Sequence, residues 1–197
     1  RFQTVPDLQP YGDLASLHAA IQDCVKCPLG KTRTKFVFGA GDVHAKLMFV
    51  GEGPGRDEDL QGLPFVGRAG QLLTKIIEAI GMKREDVYIA NIVKCRPPNN
   101  RPPEPEEVRE CWPHLSAQIN LIKPKVLCAL GSSAARNLLG LETPISALRG
   151  KFHYVDGIPV MPTYHPAFLL RNPNMKKPCW EDLKKVIAAL KKPAASE

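Results

Sequence analysis

The sequence predicts an α/β/α sandwich on two observations: four short runs of nearly continuous apolar residues, and segments of helical periodicity between them. The runs are 46–52 (KLMFVGE), 87–93 (VYIANIV), 126–131 (VLCALG) and 159–165 (PVMPTYH). Apolar residues at successive rather than alternate positions mark strands covered on both faces. The helical pattern is clearest over 70–80, where Leu72, Leu73, Ile76, Ile77 and Ile80 share one face and Gly81 ends the run. A second helix falls within 106–122, and its Pro113 predicts a kink or a break. A third begins near Ser132, and the last sets Trp180, Leu183, Val186, Ile187 and Leu190 at helical spacing. The segment 96–105 (RPPNNRPPEP) is too rich in proline for helix or central strand and reads as a stiff surface loop.

A chain of 197 residues, 44% of them hydrophobic, suffices for one substantial core, so a single domain is expected, with residues 1–20 as a peripheral N-terminal segment. Twenty-seven Lys and Arg against 20 Asp and Glu leave a charge of +7, which favours an anionic partner, nucleic acid ahead of a membrane surface. No stretch approaches the roughly 20 apolar residues of a spanning helix. The first 30 residues lack a charged start followed by an apolar run, so a soluble, intracellular (cytoplasmic) monomer with no membrane partner is expected.

Six cysteines in such a chain are better read as metal ligands or buried thiols than as a disulfide framework. Cys24 and Cys27 form a C-x2-C pair ahead of Pro28, a spacing at which one turn directs both sulfurs to one centre. Cys95 closes the second apolar run and Cys111 follows across the proline-rich loop. Four thiolates satisfy zinc or an iron–sulfur cubane alike, and spacing alone cannot separate the two, with zinc preferred in the absence of any family resemblance; four unrelated buried thiols are the bland alternative. Cys128, inside an apolar run, reads as core. Cys179, beside Trp180, has no paired base and reads as structural or incidental.

In open α/β sheets ligands bind beyond the carboxyl ends of the strands. The first run ends at GEGPG (51–55), the second carries Asn91, and the fourth ends at His165-Pro166, so three polar loops converge on one cleft. GEGPG at 51–55, GLPFVGRAGQLL at 62–73, NIVKCRPP at 91–98 and HPAFLLRN at 165–172 together resemble the family 4 uracil-DNA glycosylases. The resemblance extends from about Cys24 to the last helix. It implies a three-layer α/β/α sandwich around a central four-stranded parallel sheet, uracil excision from single- or double-stranded DNA with free uracil as product, and a [4Fe–4S] cluster on Cys24, Cys27, Cys95 and Cys111 in place of zinc.

The substrate then defines what each residue must do. Uracil's glycosidic bond lies inside the duplex, so the nucleotide must be rotated into a pocket. Phe65 resembles the family's aromatic that stacks on the flipped base. Asn91 can accept from uracil N3–H and donate to O4, whereas cytosine presents the opposite pattern at both atoms. Bond cleavage puts negative charge on uracil and positive charge on the sugar. The resemblance sets His165 at uracil O2, where an imidazole donor, neutral or charged, stabilises the leaving anion. Glu52 suits the cationic sugar or an attacking water, with Asp57 and Glu58 as lesser candidates, and the backbone N–H groups of Gly51 to Gly53 are further uracil contacts. Arg56 stands where the family often has an acidic or other polar residue.

For DNA, Leu169 and Leu170 are candidates to fill the vacated stack, with Arg171 beside a phosphate; the alternative is a helix start packing its leucines inward. Arg68, Lys94, Arg96, Arg101, Arg149 and Lys151 are read as cations bordering the cleft. Three rivals remain: a covalent uracil-DNA binder, whose loop histidine has no counterpart in RPPNNRPPEP; a noncatalytic iron–sulfur module; and a zinc-bound variant.

Overall fold

The computed structural model describes residues 11–192, so part of the expected N-terminal segment, residues 1–10, lies outside the described residues. The strands are β1 (Ala40–Gly41), β2 (Leu47–Gly51), β3 (Tyr88–Asn91), β4 (Val126–Leu130), β5 (His153–Val155) and β6 (Ile158–Thr163). The helices are α1 (Leu14–Ile21), α2 (Leu29–Thr32), α3 (Arg56–Gln61), α4 (Arg68–Ala79), α5 (Pro105–Ile122), α6 (Gly131–Leu139), α7 (Ile145–Leu148), α8 (Pro166–Arg171) and α9 (Lys176–Lys191).

One mixed sheet holds all six described strands in the order β1-β3-β2-β4-β6-β5. The four runs read from the sequence form its parallel centre. Two antiparallel edge strands widen the predicted four-stranded sheet. The edge at β1 is only two residues long, too short to leave a periodic signal. The edge at β5 turns back into β6 through Asp156 and Gly157, both at positive φ (48° and 79°), the backbone that a two-residue Asp-Gly hairpin requires.

The strand pleat divides the interior into two cores. Met48, Val50, Tyr88, Ala90, Leu127 and Ala129 face α1, α5, α6 and α7. Leu47, Phe49, Ile89, Val126, Cys128 and Met161 face α4, α8 and α9. Every residue of β2, β3 and β4 is buried, which explains their continuous apolar character. In α4, Gly70, Leu73 and Ile77 form the buried stripe. α5 runs on through Pro113, so of the predicted kink or break the helix shows no break. The proline removes one backbone donor, but Cys111, His114, Leu115 and Ile119 around it are buried, and that packing offsets the loss.

The end of β6 is held from below by a polar network. Thr163 Oγ1 donates to Asp182 Oδ2 (2.6 Å), while Arg149 Nη2 and Nε reach Asp182 Oδ1 and Oδ2 (2.7 and 3.0 Å). Arg149 also donates to the Pro178 carbonyl (2.6 Å) and lies over the Tyr164 ring. It is thus committed to the fold rather than bordering the cleft as a free cation. Asp182→Ala strands this guanidinium and the buried Thr163 hydroxyl, and is expected to lower stability by about 3 kcal/mol in denaturant unfolding.

Candidate active site

A cleft of about 770 Å³ opens beyond the carboxyl ends of the inner strands, with Glu52, Phe65, Asn91, Leu130 and His165 among its lining. Asn91 of β3 and Leu130 of β4 reach it directly, while β2 and β6 deliver Glu52 and His165 from the loops that follow them, as ligand-binding α/β sheets do at this edge.

Its floor depends on a missing side chain. Gly51 pairs with Asn91 across β2 and β3. A Cβ on Gly51 would stand 2.5 Å from Asn91 Oδ1 and 2.5 Å from the Phe65 ring, so only glycine admits both groups there. Asn91 is 1% exposed, and its Oδ1 is a buried acceptor with no protein partner. Phe65 adopts a left-handed backbone (φ 51°), uncommon for a bulky residue and costly by about 1–3 kcal/mol. Glu58 holds that loop in place. Its Oε1 accepts from the N–H groups of Val66 and Gly67 (both 2.9 Å), and Oε2 from Gly55 N–H (3.1 Å). Both carboxylate oxygens are therefore engaged with backbone, which makes Glu58 a clamp rather than a free base. Asp59 likewise accepts from the backbone of Thr34 and Lys35 (2.8 and 3.3 Å), leaving Asp57 and Glu52 of the acidic candidates on the cleft wall.

His165 caps α8: its Nδ1 accepts from Ala167 N–H (3.0 Å). In the neutral ring the proton is then on Nε2, making that atom a donor. Burial, with Arg171 nearby, lowers its pKa to about 4, against the attraction of Glu58. Its ring lies 5.6 Å from that of Phe65, tilted by 33°.

The cations redistribute. Arg56, Arg68, Arg101 and Arg171 line the cleft. Arg101 is bidentate to the buried Glu107 (2.7 and 2.9 Å), and Arg96 holds Asn100 Oδ1 (2.7 Å), so these two fold the proline-rich loop. Lys94 is fully buried, contrary to its reading as a cleft cation. Of the two wedge candidates, Leu169 is 1% exposed and packs in the core of α4 and α9, whereas Leu170 is 38% exposed. The inward-packing alternative therefore describes Leu169, and only Leu170 is free to meet a ligand. Ser132 and Ser133 also line the cleft, and nothing in their spacing marked them.

The fold brings the candidate cysteines together: Cys24 and Cys27 bear electrostatically on Cys95, and Cys95 and Cys27 bear on Cys111. Burial pushes the Cys111 thiol up to about 12 and that of Cys95 in the same direction. Among the described residues, no three His, Cys, Asp or Glu side chains are grouped to hold a single metal ion. Two of the sulfurs nevertheless accept from donors, and a third faces a histidine nitrogen. Arg33 Nη1 donates to Cys95 Sγ (3.3 Å), Lys94 N–H to Cys111 Sγ (3.3 Å), and His114 Nε2 lies 3.4 Å from Cys24 Sγ. Such a shell suits anionic sulfur, so the four residues fit a thiolate-bound group. Cys128 and Cys179 are buried in the other core.

The sequence model of the uracil DNA glycosylase superfamily matches residues 38–184. The chain is 49% identical over 174 residues to a type-4 uracil-DNA glycosylase of Archaeoglobus fulgidus, covering 84% of this chain and 87% of that one. It is 46% identical over 176 residues to a type-4 uracil-DNA glycosylase of Thermotoga maritima, covering 87% and 92%. A type-5 uracil-DNA glycosylase of Pyrobaculum aerophilum is 33% identical over 144 residues, covering 64% and 63%.

The fold favours neutral His165, so between about 4 and the ordinary 6.5 the unfolded chain binds the proton that the folded chain refuses. This group's contribution to stability is present in full above 6.5 and is lost as pH falls toward 4. NMR titration of the ring should show it neutral at pH 5, with Nε2 protonated.

Proposed function

The chain belongs to the uracil DNA glycosylase superfamily, and on that premise we propose that it excises uracil from DNA by hydrolysing the N-glycosidic bond of a flipped-out deoxyuridine, the step that initiates base excision repair. The observation that carries the reading is Asn91 Oδ1, a buried acceptor without a protein partner on the floor of the cleft. Leaving such an atom unpaired costs on the order of 1–3 kcal/mol, and uracil N3–H is the donor that satisfies it.

In this mechanism Phe65 stacks on the extruded base, while the Asn91 amide accepts from N3–H and donates to O4. Cytosine, with an unprotonated N3 and an amino group at C4, opposes both contacts. The backbone N–H groups of Gly51 and Gly53 border the same base. As the C1′–N1 bond breaks, its electron pair moves to uracil, and neutral His165 donates from Nε2 to O2 to stabilise that anion. Glu52 favours the cationic sugar and orients the water whose oxygen bonds to C1′. The water proton passes to Glu52 and from there, through solvent, to the uracil anion, so that neutral uracil and an abasic site result and Glu52 is restored. Leu170 fills the vacated stack, and Arg171 contacts a phosphate beside it. The catalytic unit is one domain acting as a monomer.

Cys24, Cys27, Cys95 and Cys111 hold a [4Fe–4S] cluster in this reading, supported by the donors around their sulfurs and by the similarity to type-4 enzymes. When bound, the cluster supplies a rigid cross-link between the 24–27 turn, the segment after β3 and α5. Glycosidic hydrolysis transfers no net electrons, so this cross-link is its task.

Two outcomes are expected. A single-uracil oligonucleotide should release free uracil and become alkali-labile with the wild-type protein, and Asn91→Ala should slow release by about 100-fold, the equivalent of one well-placed hydrogen-bonding group. Binding without release would instead support a recognition module. Metal analysis should find about four iron atoms per chain with matching sulfide, both lost in Cys95→Ala; zinc alone would contradict the cluster.

A further inference from the structure

Lys94 is among the largest fully buried side chains of the protein, and the glycosylase chemistry makes no use of it. Its Nζ donates to the Asn91 carbonyl (3.0 Å) and to Gln118 Oε1 (2.6 Å). Gln118, itself buried on α5, is fixed by donating to the Phe38 carbonyl (2.9 Å) and facing the Tyr88 hydroxyl (3.3 Å). The Lys94 backbone is equally committed: N–H donates to Cys111 Sγ (3.3 Å), and the carbonyl accepts from Val37 N–H (2.9 Å).

One residue thus touches both ends of a short path. Its amide meets a candidate cluster ligand, and its ammonium clasps the backbone of the base reader three positions earlier. Both acceptors are held in place themselves, the Asn91 carbonyl at the end of β3 and the Gln118 amide on α5, so the side chain of Lys94 is a fixed strut between them. Arg33 donates to Cys95 Sγ of the same centre.

We propose that Lys94 is a positioning residue that couples the cysteine centre to uracil recognition: its amide is tied to Cys111 Sγ, and its side chain, anchored on Gln118, fixes the Asn91 backbone so that the unpartnered Oδ1 meets uracil N3–H. The proposal rests on the cluster and base-reader roles given above. It predicts that the cysteine centre, besides cross-linking the fold, serves uracil specificity through this local contact.

The test compares wild type with Lys94→Met, a substitution of similar reach without charge or donors. Three quantities are read: iron content, inhibition by free uracil, and affinity for undamaged duplex DNA, which reports phosphate contacts. With the cluster retained, inhibition by uracil should weaken about tenfold while DNA affinity stays within about twofold. Unchanged inhibition in the loaded variant would overturn the proposal, as would a parallel fall of inhibition and DNA affinity, the mark of general disruption. If buried methionine prevents folding or loading, Gln118→Met removes one acceptor and leaves the lysine and all four ligands in place. Weakened uracil inhibition there supports the coupling, and unchanged inhibition overturns it. A wild-type protein that releases uracil but is not inhibited by it would refute the base-reader role itself, and the coupling with it.

Discussion

Two parallel strands meet at the floor of the cleft with almost no room between them. The register that sets Gly51 against Asn91 brings an amide and the ring of Phe65 to the same point, and a single methyl group on Gly51 would displace one of them. The rest of the site follows from that crowding. Phe65 must enter with an uncommon backbone, which requires the Glu58 clamp on Val66, Gly67 and Gly55. Asn91 must hold its oxygen in a dry place, which requires a rigid β3 with all four residues buried. The sheet supplies this rigidity through its four parallel inner strands, and two helical layers keep water out.

The electrostatics of the cleft suit a leaving group that becomes an anion. A neutral histidine can donate from Nε2 without placing a permanent cation beside the base, and its lowered pKa keeps that state across the physiological range. The permanent cations, Arg56, Arg68 and Arg171, line the cleft, where phosphates would meet them. In the proposed mechanism, catalysis and DNA binding therefore draw on different charges, one developing and one fixed.

Much of this was legible from the sequence, for a physical reason: strands buried on both faces leave apolar runs, and ligands gather where such runs end. Gly51, Glu52, Asn91 and His165 are visible on that logic, and all four stand together at the cleft or its floor. The edge strands were harder. β1 is too short for any period, while the β5–β6 hairpin carried an Asp156-Gly157 signal that went unread. Direction of burial was the main blind spot. Lys94 and Arg149 looked like cleft cations because composition cannot reveal a lysine turned under its own strand or an arginine paired with an aspartate thirty-three residues away. Leu169 and Leu170 differ by one position and by the whole thickness of a helix, a distinction that needs the helix to be placed first. Glu58 had a local signal, an acidic residue three positions after Gly55, but its reach to Val66 and Gly67 is tertiary. The cysteine pattern left zinc and iron open, and similarity to a family, rather than spacing, favours the cluster.

The central claim is that the buried oxygen of Asn91 is reserved for uracil N3–H. Competitive inhibition by uracil and by 3-methyluracil, which lacks that hydrogen, tests it most directly. The account predicts that uracil inhibits the wild-type protein at least about tenfold more strongly than its methylated analogue, with the gap closing in Asn91→Ala. Equal inhibition by both in the wild-type protein would mean that the cleft reads the base by other atoms.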